Sequence, residues 1–406
     1  MKQSRLFYKT LKQDPKDEEA VNAKLLVRAG FIDKVAAGIY SYLPLGQRVL
    51  VKIENIIREE MDAIGGQEML LPVLHPKEFW VQTGRWDSMP VLFKLKGANN
   101  KEFTLGPTHE EIITPLAKKI IFSYKDLPKY VYQIQTKFRN EARSKSGLLR
   151  GREFVMKDLY SFHKDEQDLD KYYERVARAY EKILARLSLG DISVRTFASG
   201  GSFSQYSHEY QTLCDAGEDE IYLCKQCNIA VNQELIKEQN VCPQCNNNQL
   251  EKKRAIEVGN IFKLKTKFSN ACQLTYKAGD GHGKPVFMGC YGFGPSRVMG
   301  TLVEIFHDEK GIIWPAAVAP YKYHLLNLSK NDKVKLTADE IYRELSKKEE
   351  VLYNDRQDIS PGEKLAEADL IGLPYRLVVS DKTHGQLEFK KRNENKTQLR
   401  NLKELF

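Results

Sequence analysis

Between residues 46 and 64 the apolar side chains Val49, Ile53, Ile56, Ile57 and Ile64 recur at helical spacing, and Gly65-Gly66 ends the run. The pattern predicts an amphipathic helix with a glycine stop. Gln67 to Leu74 predicts a strand with Pro72 near its end, where an edge or interface strand tolerates it. Thr104 to Glu111 passes from loop into helix. Tyr130 to Phe138 alternates strictly: Tyr132, Ile134, Thr136 and Phe138 lie on one face, and Gln133, Gln135, Lys137 and Arg139 on the other. A polar, glycine-containing loop from Ala142 to Arg152 and a return strand from Glu153 to Phe162 complete a long hairpin with a basic loop. Asp165 to Leu187 predicts a long helix. Ile256 to Phe268 and Val286 to Tyr291 read as strands, and a helix starts near Pro295.

Two stretches break this pattern. Residues 214–250 are polar, rich in Cys and Asn and poor in large apolar side chains, as an inserted module would be. After a linker from Trp314 to Pro320, alternating β and α signals restart, as in a separate α/β domain. The expected organisation is a main domain of residues 1–213 and 251–318, an insertion at 214–250, and a C-terminal domain at 319–406.

The length of 406 residues holds two or three domains with a sizeable core. A net charge of +9 suits a nucleic-acid partner without requiring one. No run approaches the ~18 apolar residues of a membrane span. The first residues lack a signal peptide's apolar core, so a cytoplasmic location is expected. Four of the seven cysteines form CxxC pairs, which in a reducing compartment points to metal rather than disulfides.

The candidate chemistry lies on the hairpin and the late helix start. Arg139 shares a polar strand face with Gln133 and Gln135, and a polar sheet face in a large protein lines a cleft. A guanidinium there meets a phosphate bidentately, as lysine does not. Arg150 in the loop reaches a terminal phosphate, and Phe154 stacks on a purine. Gly292-Phe-Gly-Pro-Ser-Arg297 places Arg297 at a helix N-terminus, which favours anions, with Pro295 suited to the first helical position. Surface ion pairs and a glycine turn remain the plain alternative for each piece. Arg297 stands where a G-x-G-x-x-G fingerprint needs its third glycine, and Gly279 to Lys284 lacks P-loop spacing. The set therefore suits a nucleoside triphosphate held without either common fold motif.

The pieces, in order, resemble a class II aminoacyl-tRNA synthetase: Gly65 to Pro72 resembles motif 1, Phe138 to Phe154 motif 2, and Gly292 to Arg297 motif 3. Gly106-Pro-Thr-His-Glu-Glu111, Tyr132-Gln-Ile-Gln-Thr-Lys-Phe-Arg139, Met156-Lys-Asp-Leu-Tyr-Ser-Phe-His163, Ser207-His-Glu209, Glu257-Val-Gly259 and Met288-Gly-Cys-Tyr-Gly292 are similar to the bacterial-type prolyl-tRNA synthetases. The resemblance runs through nearly the whole chain. It implies an α/β fold of the α+β kind, with an antiparallel sheet flanked by helices and a mixed α/β anticodon-binding domain. It implies formation of prolyl-adenylate from L-proline and ATP with Mg²⁺, transfer to the 3′-end of tRNA(Pro), and a homodimer built on motif 1. Arg139 would hold the α-phosphate and the proline carboxylate. Arg150 and Arg297 would hold the triphosphate, with Arg297 also stacking on adenine opposite Phe154, and Glu141 would accept from the adenine amino group. Thr108 and Glu110 would accept from proline's cationic amine; taken alone, Thr108 reads equally as a helix cap. His208 and Glu209 are expected at the pocket. Asn260 stands where the family has His, and Lys265 where it has Gly, which puts the detail of the proline pocket in question. A ligase for threonine, serine or glycine, or a paralogue without aminoacylation, are the competing readings. The retained arginines argue against the paralogue. Thr-His-Glu-Glu and Glu-Val-Gly argue against another amino acid.

The family's bacterial members carry a large editing domain between motifs 2 and 3, and residues 214–257 are too few for it. In its place stand Cys224, Cys227, Cys242 and Cys245, with 14 residues between the pairs. This is close to zinc-ribbon spacing, and four thiolates suit structural Zn²⁺. Four unligated thiols in a degenerate ribbon are the alternative. Editing in cis is not expected. In the C-terminal domain, Asp355-Arg356, Pro361-Gly362 and Leu370 to Pro374 resemble the anticodon-binding domain, and Arg356 and Lys364 are candidate contacts to tRNA.

Overall fold

Helix α1 (Val21–Arg28) and helix α2 (Pro44–Ala63) lead into the short strand β1 (Gln67–Glu68). Helix α3 (Glu110–Ala117) follows, then the hairpin of β2 (Lys129–Phe138) and β3 (Glu153–His163), and helix α4 (Glu166–Arg186). Strands β4 (Ser193–Ser199), β5 (Tyr206–Leu213), β6 (Asp219–Cys224), β7 (Ile229–Asn232), β8 (Glu251–Lys265) and β9 (Phe287–Phe293) precede helix α5 (Pro295–Ile305). These elements come from a computed structural model that describes residues 1–144 and 146–405. The nine strands form one sheet in the order β5-β4-β7-β6-β8-β9-β3-β2-β1.

Several elements follow from local chemistry. Val49, Ile53, Ile56 and Ile57 of α2 are buried, and Gly65 closes the helix with φ +85° while Gly66 donates back to the Met61 carbonyl at 3.0 Å. Asp165 caps α4 by accepting from the Asp168 amide at 2.8 Å. Pro295 opens α5 in its first turn. The expected strand at 67–74 shrinks to two paired residues. Beyond them the chain passes Pro72, and Leu74–Pro76 pairs instead with Glu102–Leu105. The strand predicted to reach Phe268 stops at Lys265, and Lys267–Cys272 is helical.

The two faces of the sheet differ. One packs on α2 and α4 through Leu159, Tyr291, Ile261 and Phe293, where the largest apolar core lies. On the other face, Tyr160, Phe162, Met288 and Cys290 pack under Ile113 and Ala117 of α3. The rest of that face stays polar.

The insertion is built into the sheet. Strand β6 pairs antiparallel with the first part of β8, and β7 lies parallel beside β4. Because β5 also pairs with β8, strands β5, β4, β7, β6 and β8 close into a ring around Val194, Ile221, Leu223, Ala230 and Ala255. The few apolar side chains of the insertion thus find partners on strands outside it.

In the C-terminal domain, β10 (Tyr323–Asn327), helix α6 (Asp332–Leu345), β11 (Val351–Asn354), helix α7 (Pro361–Ile371), β12 (Tyr375–Val379), β13 (Leu387–Lys391) and β14 (Thr397–Arg400) give a five-stranded sheet ordered β11-β10-β12-β13-β14. The N-terminal segment docks on its β11 edge: Lys2 bridges to Tyr353, and the Tyr8 hydroxyl donates to Glu367 at 2.9 Å. Lys364 is buried, its ammonium donating to the Asn327 carbonyl at 2.6 Å, and Arg356 is paired with Glu367. Lys364 is therefore not free to meet a phosphate, contrary to expectation.

Candidate active site

The polar face of the sheet carries the site. Strand register places Gln133, Asp158, Gly292, Asn260 and Glu209 in one row across β2, β3, β9, β8 and β5. Gly292 leaves a hollow in the middle of that row, where an added Cβ would meet only Met156 Sδ at 3.7 Å and the Asn260 carbonyl at 3.9 Å.

One end of the row is held by a buried network. Asp158 accepts from Gln133 at 3.0 Å and pairs with Lys137 at 2.7 Å. Lys137 also reaches His109 Nδ1 at 3.0 Å, while His109 Nε2 meets the Pro72 carbonyl at 3.1 Å. Burial, reinforced by the Lys137 charge, pushes His109 down to about 3, so it is neutral. Its Nδ1 then accepts from the ammonium and its Nε2–H donates to Pro72, which fixes the tautomer. The network pins the turn Thr108-His109-Glu110 to the strand that carries Arg139.

Thr108 does not cap α3. The cap position belongs to His109, without a side-chain bond, and the Thr108 hydroxyl donates to Glu110 Oε2 at 2.6 Å. Glu110 and Glu111 are both fully buried, and Arg85 stands between them. Its Nη1 lies 3.3 Å from Glu110 Oε2 and 3.0 Å from Glu111 Oε1, and its guanidinium packs on Trp80, Phe203 and Phe268. The other Glu110 oxygen, Oε1, is buried without a partner. An unpaired carboxylate oxygen beside a hydroxyl suits a cationic amine. Sequence reasoning missed Arg85; two adjacent acidic residues at the start of an apolar helix were the signal that a buried cation must accompany them.

Arg139 projects from the end of β2 with its guanidinium 5.2 Å from the Phe154 ring. Among the described residues no carboxylate is hydrogen-bonded to it. Burial, then the neighbouring Arg297, lower its proton affinity below that of an ordinary arginine. Two such cations close together with one unpaired make an anion site. Arg297 Nη1 meets Glu257 Oε2 at 2.8 Å and the Glu257 carbonyl at 2.6 Å. Arg150 meets Glu141 at 2.8 Å and Glu218 at 3.0 Å. Glu141, Arg150, Glu218, Asp219, Glu257 and Arg297 line one hollow of about 630 Å³, open to solvent.

Asn260 faces this site, its amide donating to Glu257 at 3.2 Å and to Glu209 at 3.4 Å. Its Oδ1 is buried without a partner. Burial, with Glu257 next, pushes Glu209 up to about 8. Its carboxyl oxygens accept from the Asn260, Gln211 and Asn232 amides. His208 is not brought to the site. It lies on the opposite face, where Nδ1 meets the Tyr173 hydroxyl of α4 at 2.7 Å. Adjacent residues of a strand point to opposite faces, so Glu209 and His208 are not both able to enter one pocket. Lys265, at the far end of β8, pairs with Glu166 at 2.6 Å.

Residues 93–306 match the class II core domain of the tRNA synthetases for G, H, P, S and T, and residues 317–406 match an anticodon-binding domain. Proline–tRNA ligase of Thermotoga maritima is 35% identical, over 97% of this chain and 94% of its own length. The chain belongs to the proline–tRNA ligase family. The ligase of Persephonella marina is 36% identical, over 98% of this chain and 97% of its own. The Thermotoga alignment runs over 546 positions against 406 residues here, so at least 140 positions have no residue in this chain, a short-insert form of the family. Among solved structures, the Giardia lamblia prolyl-tRNA synthetase in complex with prolyl-adenylate superposes with a TM-score of 0.77 at 20% identity, covering 94% of this chain and 74% of that one. The Cryptosporidium parvum enzyme complexed with L-proline and AMP gives 0.78 at 16% identity, covering 98% and 75%. These two share the fold.

The four cysteine sulfurs at the tip of the β6–β7 turn and the following loop lie within 4.8 Å of one another, with Cys224 and Cys245 at 3.7 Å. Tetrahedral zinc with Zn–S bonds of about 2.3 Å sets its sulfurs roughly 3.8 Å apart, so the cage fits. Four cysteine ligands would fill the tetrahedron and leave no position open for catalysis.

Proposed function

We propose that this chain activates L-proline with ATP to prolyl-adenylate and pyrophosphate, then esterifies the 3′-end of tRNA(Pro). The observation that carries the reading is the unpaired Arg139 guanidinium, set between the Thr108–Glu110 pair and Arg297 on one sheet face. In this reading the proline amine donates to Glu110 and Thr108, and the proline carboxylate lies against Arg139, aimed at the α-phosphate. The step needs alignment and charge neutralisation more than proton transfer. Arg150 and Arg297 exchange their carboxylate partners for triphosphate oxygens, Phe154 stacks on adenine, and Glu141, released from Arg150, accepts from its amino group. Mg²⁺ bound with the ATP would supply neutralisation of phosphate charge. The C-terminal domain takes the anticodon. Leu70 and Leu74, exposed beside the short β1, offer the face for a homodimer. No helix among the described residues is long and apolar enough to cross a membrane, and the reading places the work in the cytoplasm.

The test is ATP–pyrophosphate exchange across an amino-acid panel. Exchange with proline alone supports the reading. No exchange, or exchange with another amino acid, sinks it. Asn260→His is expected to keep proline exchange within about threefold, because imidazole offers the same neutral donor and acceptor pair; complete loss in that variant would show a pocket organised differently. The same enzyme is expected to leave Ala-tRNA(Pro) intact over the time in which it charges proline, since among the described residues no large domain stands between β3 and α5. Rapid deacylation would contradict this. Zinc content is expected near one ion per chain by atomic absorption. Cys242→Ser should remove the metal and expose the β6–β7 amides to solvent exchange; a wild type without zinc, or protection unchanged in the variant, would remove zinc from the account.

A further inference from the structure

Asn22, in the first turn of α1, is fully buried, and the four hydrogen bonds of its backbone N–H and side chain all leave its own helix. Its backbone N–H donates to Glu304 Oε1 at 2.8 Å, and its side-chain amide donates to the same oxygen at 2.7 Å. That amide also donates to the Ser146 carbonyl at 3.2 Å, and Asn22 Oδ1 accepts from the Leu148 amide at 3.0 Å. Glu304 belongs to α5, the helix whose first turn carries Arg297. Ser146 and Leu148 belong to the hairpin loop, four and two residues before Arg150.

The arrangement is specified from three sides. The residue before α1, Ala20, gives no side-chain cap, so an N–H of the first turn needs an outside acceptor, and Glu304 supplies it. Gly147 sits at φ +61°, and a Cβ there would stand 2.3 Å from Asn22 Oδ1. On α5, a Cβ at Gly300 would come within 3.1 Å of both Leu148 and Leu149. The loop thus lies flat on α5, and Asn22 is the polar joint that ties the two.

We propose that Asn22 is a positioning residue that fixes the loop carrying Arg150 against the helix carrying Arg297, and so sets the spacing of the two guanidiniums that grip the ATP triphosphate. The proposal rests on the ligase reading for the identity of the anion, but the joint itself does not. An amide is required because the residue must accept from one neighbour and donate to two others at once, which alanine, serine and aspartate are unable to do. Loss of the joint leaves the buried Glu304 carboxylate without its side-chain donor and frees the loop to sample positions in which Arg150 misses the terminal phosphate.

The test compares Asn22→Ala, Arg150→Ala and the double variant in proline-dependent ATP–pyrophosphate exchange, together with amide hydrogen exchange of residues 142–152. Asn22→Ala is expected to raise KM for ATP about tenfold, to leave KM for proline within twofold, and to abolish protection of the Leu148 amide. Added to Arg150→Ala it should cost little more, because both act through the same guanidinium. An unchanged KM for ATP, an equal rise in both KM values, or independent multiplication of the two effects would overturn the proposal. If Asn22→Ala does not fold, Asn22→Ser removes the bridging amide with a smaller cavity and is read the same way. Should the wild type show no proline exchange, the ligase reading fails on its own; retained Leu148 protection in the variant would then still refute the joint.

Discussion

Arg139→Ala is expected to reduce proline-dependent ATP–pyrophosphate exchange by about three orders of magnitude, the upper part of the range for removing one preorganised donor to a developing anion. The guanidinium has no carboxylate partner to release, so its loss leaves no buried charge uncompensated. Thermal stability should therefore change little, and circular dichroism should match the wild type. Arg139→Lys is expected to recover only a small part of the rate. A point charge on a flexible stem does not present two parallel N–H groups to a carboxylate and a phosphate at once. The effect should appear in kcat as well as in KM, because the contact tightens as charge builds on the α-phosphate. Exchange within tenfold of wild type in Arg139→Ala would remove this residue from the chemistry and leave Arg297 as the α-phosphate ligand.

What the chain displayed in advance was what short-range rules control. Alternation from Tyr130 to Phe138 placed Gln133, Lys137 and Arg139 on one face; Gln133 and Lys137 both reach Asp158 there, and Arg139 lies against Phe154. Asp165, Gly65 and Pro295 marked helix ends because caps are local chemistry. The errors arose where a side chain's direction depended on partners elsewhere. Glu209 reaches the site and His208 does not, because strand period alone separates them. Glu257 and Asn260, three residues apart, would lie on opposite faces of a regular strand. A register shift between Tyr210 and Gln211 of the partner strand inserts one extra residue in β8 and brings both to the same face. The insertion's own residues are few and polar, so the sequence did not show that its core is completed by Val194 and Ala255, outside it.

Arg85→Ala is expected to give the largest loss of stability of any single change at the site, about 3–5 kcal/mol near pH 8. Arg85 is the cation between two fully buried carboxylates, and its removal leaves them facing each other in an apolar wall. The loss should depend on pH with a defined sign. Burial pushes Glu111 up to about 7, against the pull of Arg85 and with Glu110 adding to the rise. A carboxyl whose folded pKa lies above its unfolded value near 4.5 holds its proton more tightly in the native state. That contribution is complete below about pH 4.5 and is lost as pH rises through 7. Without Arg85 the folded pKa of Glu111 climbs further, so the variant is least perturbed in acid, where Glu111 is protonated, and suffers most above neutrality. Thermal melts at pH 5.5 and pH 8 should show a small gap from wild type at the first and a wide one at the second. Proline binding should weaken at least tenfold, since Glu110 loses the guanidinium that holds its Oε2 in place. Equal gaps at both pH values would mean that Arg85 acts through its packing on Trp80, Phe203 and Phe268 rather than through charge. A proline KM that stays at the wild-type value would detach it from the pocket altogether.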